Sequence, residues 1–302
     1  MMKPALLGIF LAILAALWNA SVGVLSKGIF NSNLSPISIA FYKCLFAFLI
    51  LSTIILLDKG KLRETISLTK DVWKLAICSF FGIFVLYLFE TKAYGYESIS
   101  VVVFALLGSS TITTFLFSSY VLKEKKGVSQ AISLVCALSG LGIMFWTTDA
   151  RGQVLGLLLA CIAGSGYGLF LVFAKKFGQA GTLSSLWWLM GFGCLYLSVP
   201  FICSAPVLPA TETLPSLLAL SVIPTIGGFY CTNKALTLID ASKVQLFELT
   251  EPIFATALGF ILLGEVIYLK DAVGGALIIS SIFIYETNFA VKLVPVGANI
   301  NE

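Results

Sequence analysis

Apolar runs of about twenty residues follow one another along the chain, and this feature restricts its fold more than any other. A run of ~20 apolar residues is long enough to cross the ~30 Å hydrocarbon core of a bilayer as an α-helix. Of 302 residues, 59% are hydrophobic and only 11% are charged, whereas about 25% charged residues is usual in a soluble domain. A soluble core of this length cannot absorb so much apolar surface. The sequence therefore predicts an all-α integral membrane protein.

Ten transmembrane helices are predicted. Their ranges are 5–26, 36–57, 75–95, 98–121, 127–147, 154–175, 183–204, 217–238, 242–264 and 270–290. The remaining residues leave no room for a soluble domain, and the longest loop, 58–74, is predicted to be a solvated charged linker. Met1 to Ser21 could be taken for a signal peptide, but the apolar run continues to Leu25 and others follow it. We interpret it as the first span.

The basic residues outside the spans concentrate on one side of the predicted membrane. With the amino terminus inside, the outer side receives only Lys27, Arg151 and Lys270. Cytoplasmic loops are enriched in Lys and Arg, so both termini are predicted to be cytoplasmic, and the location is predicted to be a bacterial inner membrane. The net charge of +4 is explained by this topology, and a nucleic-acid partner is not predicted.

Matching residues in the two halves of the chain indicate an internal duplication. The matched pairs are Lys92 with Lys234, Glu124 with Glu265, Trp18 with Tyr167, and Lys27 with Lys176. The predicted domains are a first five-helix repeat, 1–150, and a second, 151–302. Because five is odd, the second repeat enters the membrane from the opposite side, so the two repeats are predicted to be inverted about an axis in the membrane plane.

Several ionisable side chains fall within the predicted spans. They are Lys43, Glu90, Lys92, Lys234, Glu248 and Glu251. Each costs on the order of 3 kcal/mol at the middle of a membrane helix, so these groups must be paired or hydrated. The mixture of lysines and glutamates predicts a polar cavity inside the bundle.

Glu248 and Glu251 are the candidates for proton coupling. A rise of about 1.5 Å per residue places Glu251 near the membrane midplane, and the i, i+3 spacing puts both carboxylates on one helical face. Two carboxylates this close disfavour joint ionisation, so the pair would hold a proton. A structural ion pair with Lys43 or Lys234 explains the same residues equally well. Pro252 removes a backbone hydrogen bond and predicts a kink at this point.

Aromatic side chains accompany the charges in the third and eighth spans. Tyr87, Glu90 and Tyr94 share one face of the third span, and Tyr230 lies beside Lys234 in the eighth. These residues predict a wall that faces the substrate. For Tyr94, Lys92 and Lys234 the alternative is a position at the membrane interface, with the charged or hydroxyl end in water.

Three more positions complete the candidate binding residues. Lys43 would bind a substrate carboxylate or neutralise a glutamate permanently. Trp18 and Asn19 lie deep in the first span, and Tyr167 is the counterpart of Trp18 in the sixth.

Small residues and tryptophans in the later spans are given structural roles. Ala160, Gly164 and Gly168 recur every four residues and predict a close helix contact. Trp187 and Trp188 begin the seventh span and are predicted to anchor it at the membrane interface.

Several classes of chemistry have no support in the sequence. It contains no histidine, which removes the usual zinc ligand and the usual proton relay near neutral pH. Its seven cysteines are scattered, so neither a metal site nor a disulfide framework is predicted. No cofactor is predicted. Without a nucleophile–base pair or a phosphate-binding loop, an enzyme is not predicted either.

The chain resembles the EamA-type members of the drug/metabolite transporter superfamily. The residues that carry the resemblance are Trp18-Asn19 with Lys27, Pro36 with Tyr42-Lys43, Lys92-Ala93, and Glu251-Pro252 followed by Leu263-Gly264-Glu265. The resemblance implies secondary transport of amino acids or other small metabolites through a cavity between the repeats. Ser110 stands where the family often has proline, so the fourth span is expected to lack a kink. Glu90 and Glu248 match no family motif.

The predicted function is secondary active transport of a small polar or zwitterionic metabolite by alternating access. Its carboxylate would bind Lys43 or Lys234, and its ammonium would bind Glu90 or Glu251. Proton coupling is left open. The alternatives are a passive facilitator or channel for the same solutes, and an exchanger of a larger adenosyl or nucleotide-like metabolite. The predicted partners are the solute and the lipid bilayer, and the sequence does not determine the oligomeric state.

Overall fold

The computed structural model describes residues 3–27, 29, 34–146, 154–178, 181–204, 207–264 and 266–286. Within these ranges the regular structure is helical, with no strand. Glu265 and Arg151 lie outside the described residues, as does the side chain of Lys27. The matches that the sequence suggested for Glu265 and Lys27 therefore stay predictions.

The described helices follow the predicted spans closely, with one helix more. Their bounds are α1 (Pro4–Lys27), α2 (Pro36–Leu57), α3 (Lys59–Ser67), α4 (72–93), α5 (Ile99–Val121), α6 (Val128–Met144), α7 (Val154–Lys176), α8 (Leu183–Cys203), α9 (Leu214–Leu238), α10 (Ala241–Leu263) and α11 (Leu269–Glu286). Among the described residues, eight helical stretches are long and apolar enough to cross a membrane. The helices α6 and α11 occupy the other two predicted positions. The fold is that of an all-α, multi-pass membrane protein.

The additional helix corrects the prediction of a solvated linker at 58–74. Asp58 begins α3, because its carboxylate accepts hydrogen bonds from the backbone N–H groups of Gly60 and Lys61 at 2.8 and 3.2 Å. A side-chain acceptor of this kind satisfies donors that the first helical turn leaves free. The helix then packs against α8, where the Trp188 indole N–H donates to the carbonyl oxygen of Thr65 at 3.0 Å. Although it is rich in charged residues, this segment is therefore helical and packed against the protein.

Two helices contain a wider, π-helical turn near their middle. In α4 it spans Phe80–Val85, and in α9 it spans Ser221–Gly228. Pro224 explains the second case, because proline has no N–H to donate within a regular helix. The Thr225 hydroxyl donates instead to the Leu220 carbonyl oxygen at 2.8 Å. Such turns are frequent at functional sites.

The helices pack in a reciprocal pattern. The first helix, α1, packs against α9 and α10, whereas α7 packs against α4 and α5. In addition, α2 contacts α8 and α6 contacts α11. Each of these six contacts joins a helix of the first half of the chain to a helix of the second, so the interior of the bundle is built from both halves.

Close contact between α5 and α7 depends on the glycines that the sequence singled out. A Cβ added at Gly168 would lie 2.7 Å from the Ser110 carbonyl oxygen, and one added at Gly164 would collide with the Leu106 carbonyl oxygen. The two backbones approach too closely for larger residues, as the small-residue spacing predicts.

Replacing Gly164 with alanine is expected to destabilise the fold by about 1–3 kcal/mol, because the new methyl group meets backbone that cannot rotate away. Thermal unfolding in detergent measures the loss. Gly142→Ala is the matched control, since its Cβ would lie 3.9 Å from the nearest heavy atom, in the ring of Phe104. Equal unfolding temperatures for the two variants would contradict this account of the contact.

Candidate functional site

A break in α10 positions two of the buried acids. The helix runs from Ala241 to Glu248, passes through a turn, and resumes from Glu251 to Leu263. Pro252 has no backbone N–H, so it cannot donate the helical hydrogen bond to the Glu248 carbonyl oxygen. The Ile253 N–H donates to the carbonyl oxygen of Thr250, three residues earlier, at 3.1 Å. The predicted kink is confirmed. The corresponding α5, with Ser110 in place of proline, continues without a break.

Glu248 lies in the interior, where both oxygens of its carboxylate accept hydrogen bonds. One of its oxygens accepts a hydrogen bond from the Tyr167 hydroxyl at 2.8 Å, and the other accepts from the Thr232 hydroxyl at 2.5 Å. The residue is only 2% exposed. Burying a carboxylate is costly unless hydrogen bonds replace those of water, so this pair of hydroxyls is what allows an acid at this depth. It also ties α10 to α7 and α9.

Glu251 has a different environment, although it lies only one turn further along. It is half-buried, and it interacts electrostatically with the carboxylates of Glu248 and Glu90. Within the described part of the chain, the ion pairs closer than 4 Å involve other acids: Asp58, Asp71, Glu124 and Glu286. Three acids thus share one region of the interior, and Glu251 is the residue at which α10 resumes after its break.

Lys43 enters the same region from α2. Its ammonium nitrogen lies 3.6 Å from the centroid of the Tyr87 ring, in a cation–π contact. It also interacts electrostatically with Glu90, and the Tyr94 hydroxyl donates to Glu90 at 3.1 Å. These contacts bring the lysine, the acid and both tyrosines together. The predicted aromatic face around Glu90 is therefore present, and Tyr94 belongs to it.

Aromatic rings connect the lysine end of this region to the glutamate end. Phe229 makes edge-to-face contacts with Tyr87 and with Tyr167, each with ring centroids 6.4 Å apart. Tyr87 lies under Lys43, and Tyr167 donates to Glu248. We define the central cluster as Lys43, Tyr87, Glu90, Tyr94, Tyr167, Phe229, Thr232, Glu248 and Glu251.

Trp18 and Asn19 lie at the edge of the central cluster, where α1 crosses the wide turn of α9. A Cβ added at Gly228 would come within 2.6 Å of the Asn19 side-chain oxygen, and one at Gly227 would come within 3.3 Å of the Trp18 ring. The side chains of Trp18 and Cys231 are hydrogen-bonded to each other. Both predicted residues therefore face α9, where two glycines allow close packing.

Other predicted residues lie apart from the central cluster. Lys92 is exposed, as its alternative position at the membrane interface predicts. The backbone of Lys234 packs against Gly181, before the start of α8. Tyr230 is half-buried and packs against the apolar core. In the part of the chain that the structure describes, neither Tyr230 nor Lys234 has a hydrogen bond or ion pair from its side chain to the central cluster.

The sequence did not reveal every member of the cluster. Thr232 and Phe229 are ordinary residues for an apolar span, and no signal in the sequence separates them from their neighbours. Gln245 lies three residues before Glu248 in α10 but is not a member of the cluster. It is instead buried against α5, where its amide donates to the hydroxyls of Ser110 and Thr111 at 2.8 and 3.2 Å.

Membrane-length helices gathered around buried acids, a lysine and tyrosines define a multi-pass membrane protein with a polar site inside the bundle. Channels and transporters carry such sites, because ionisable groups within the membrane mark substrate and ion pathways. The chain belongs to the EamA-like transporter family, whose family model matches residues 6–146 and, again, residues 154–287. It is therefore a membrane transporter, which agrees with the expectation that it is not an enzyme.

Relatives with similar sequences carry transporter names but no named substrate. An "Uncharacterized transporter" of Archaeoglobus fulgidus is 24% identical over 288 residues, which cover 91% of this chain and 97% of the relative. The "Uncharacterized inner membrane transporter YicL" of Salmonella typhimurium is 26% identical over 294 residues, which cover 93% and 95%. One solved crystal structure covers 94% of this chain and 97% of its own with a TM-score of 0.76 at 16% identity. That likeness concerns the fold alone.

Proposed function

We propose that this transporter moves a small zwitterionic metabolite, of the amino-acid class, by secondary active transport. The observation that carries the proposal is the composition of the central cluster, with three carboxylates, one lysine and a connecting row of aromatic rings. The substrate carboxylate binds Lys43, and its ammonium group binds Glu251 or Glu90. Fully ionised, the cluster has more negative than positive charge, which favours uptake of a cationic group or a proton.

The proposed mechanism is alternating access by two inverted five-helix repeats, 1–150 and 151–302. Three observations support this arrangement. The packing of α1 on α9 and α10 mirrors that of α7 on α4 and α5. The wide turns of α4 and α9 occur at matching positions. The family model matches the chain twice. Rocking of one repeat against the other exposes a midplane site alternately to the two sides.

Glu251 is the proposed proton site, with Glu248 as its fixed neighbour. Glu248 already has two hydroxyl donors, whereas Glu251 is half-buried beside two other carboxylates. A proton on Glu251 relieves the repulsion among these acids. Substrate ammonium relieves it in the same way, so proton and substrate compete for one carboxylate. This competition couples the movement of the substrate to the movement of the proton.

The proposed location is a bacterial inner membrane with both termini in the cytoplasm. The distribution of lysine and arginine supports this orientation, and the name of the Salmonella typhimurium relative supports the inner membrane. The proposed topology places the turn between α9 and α10 on the cytoplasmic side.

Uptake into proteoliposomes tests the substrate class. The probe is an equimolar mixture of radiolabelled amino acids, with a labelled adenosyl amino acid added separately. The parent protein is expected to accumulate at least one amino acid above its external concentration when a pH gradient is imposed. Lys43→Met is expected to reduce that uptake at least tenfold, whereas Lys92→Met, which changes an exposed lysine, leaves it unchanged. Uptake that never exceeds equilibration indicates a passive facilitator, and uptake of the adenosyl compound alone overturns the proposed substrate class.

A further inference from the structure

A concave site lies at the surface, between α2, α3 and α8. This groove has a volume of about 270 Å³, and its walls are almost entirely apolar. Residues from all three helices line it, among them Ile55, Leu56, Leu62, Ile66, Trp187 and Trp188. It shares no residue with the central cluster.

The polar atoms around the groove already have partners within the protein. The indole N–H of Trp187 donates to the Ser52 hydroxyl at 2.7 Å, and that hydroxyl donates to the Phe48 carbonyl oxygen, also at 2.7 Å. The indole N–H of Trp188 donates to the Thr65 carbonyl oxygen. The surface offered to an occupant is therefore carbon, which suits a hydrocarbon chain better than a polar solute.

The charges of the α3 segment are unevenly neutralised. Asp58 is paired with Lys61, and Asp71 is paired with Lys74 at 2.8 Å. The remaining acid, Glu64, accepts a hydrogen bond from the Ser184 hydroxyl of α8 at 2.8 Å. The other three cations of the segment are exposed and, in the described part of the chain, have no acid within 4 Å. They are Lys59, Arg63 and Lys70.

Two of these cations border the groove. Lys59 and Arg63 are four residues apart, so they lie one above the other on the helix surface. Leu62 and Ile66, which line the groove, are each three residues from one of them, so the cationic stripe and the apolar stripe are adjacent. Lys70 follows in the next turn. One side of the groove is thus apolar wall, and its rim is positive.

We propose that this groove binds an anionic phospholipid. One acyl chain lies against Trp187 and Trp188, and the headgroup phosphate binds Lys59 and Arg63. The volume is below the range of about 300–1,000 Å³ that encloses a drug-sized ligand, so the groove holds part of a chain while the headgroup stays at the rim. Arginine binds phosphate with its planar fork of donors, and cations beside a membrane attract anionic lipids. The bound lipid fixes α3 against the ends of α2 and α8.

Quenching of tryptophan fluorescence by brominated lipids tests the proposal directly. The chain has five tryptophans, so a Trp18→Phe, Trp73→Phe, Trp146→Phe variant keeps only the two in the groove. It is reconstituted into bilayers of phosphatidylcholine and phosphatidylglycerol, with bromine on the acyl chains of one lipid or the other. Per mole of brominated lipid, phosphatidylglycerol is expected to quench at least three times as strongly as phosphatidylcholine.

The preference must depend on the two rim cations. Adding Lys59→Ala and Arg63→Ala is expected to remove it, whereas Lys125→Ala, which removes an exposed lysine elsewhere, leaves it intact. Equal quenching by both lipids, or a preference that survives the double substitution, overturns the proposal. If the tryptophan variant does not fold, native mass spectrometry of the unaltered protein and of the Lys59→Ala, Arg63→Ala variant replaces it. Retained phosphatidylglycerol on the first and not the second supports the site, and the same retention on both overturns it.

Discussion

Glu251→Gln is expected to abolish the pH dependence of uptake and to reduce the accumulation of solute at least tenfold. Glutamine keeps the size of the side chain but carries neither a charge nor a titratable proton. In the proposed mechanism, the carboxylate of Glu251 binds the proton and the substrate ammonium in turn, so both functions are lost together. The amino acid identified by the proteoliposome assay serves as the probe, and initial rates are measured over a range of external pH.

The matched control for this substitution is Glu212→Gln. It makes the same chemical change at an exposed position outside the helices, so the rate and its pH dependence are expected to equal those of the parent. An unchanged pH profile in Glu251→Gln contradicts the assignment of Glu251 as the proton site. A reduced uptake rate with a preserved pH profile instead assigns Glu251 to substrate binding alone, and the proton site must then be sought at Glu90 or Glu248.

The sequence predicted the spans well because a span requires only a local excess of apolar residues over about twenty positions. The α3 segment was mispredicted as a linker because its helix depends on contacts from outside the segment. Trp188 and Ser184 of α8 bind residues 64 and 65 of α3, and no property of 58–74 reveals them. Capping by Asp58 was the one local signal, and the surrounding charges obscured it.

The candidate site was predicted less completely for a related reason. The sequence gives the depth of an ionisable group in its helix but not the direction in which the helix is turned. Lys43 and Lys92 both fell within predicted spans, yet one lies over the Tyr87 ring and the other is exposed. The same limit applies to Thr232, whose importance comes from the neighbouring Glu248 and Tyr167 on other helices.

A second large effect is expected at the end of α5, where Glu124 of the first half of the chain binds the start of α10 in the second. One oxygen of its carboxylate accepts from the Ala241 backbone N–H at 2.8 Å, and the other accepts from the Ser242 hydroxyl at 2.6 Å. Lys126 pairs with the same carboxylate at 2.6 Å, and both charged side chains are about nine-tenths buried. This contact joins the two halves at the side that the proposed topology assigns to the cytoplasm.

Glu124→Ala is expected to lower the free energy of unfolding by roughly 3–5 kcal/mol, because it leaves the buried charge of Lys126 without its carboxylate partner. Unfolding in mixed micelles at increasing fractions of sodium dodecyl sulfate measures the loss. Asp71→Ala is the matched control, since it removes an exposed ion pair with Lys74 and is expected to cost less than about 1 kcal/mol. The combined Glu124→Ala, Lys126→Ala variant should regain part of the stability. Similar losses in Glu124→Ala and Asp71→Ala would show that the contact does not hold the two halves together.

Acid should weaken the same contact in the unaltered protein. Burial by itself raises the pKa of Glu124, but the charge of Lys126 and the hydrogen bonds from Ser242 and Ala241 outweigh it, so its pKa lies below the ordinary value of 4.5. Because the pKa of Glu124 is lowered in the folded state, its contribution to stability is complete above the pKa that Glu124 has in the unfolded chain. It is then lost as the pH falls through the lowered value. The difference in unfolding free energy between the parent and Glu124→Ala is therefore expected to be constant near neutral pH and to shrink below about pH 4.5. Because this range lies well below neutrality, titration of Glu124 does not account for the proposed pH dependence of transport, which we assign to the central cluster.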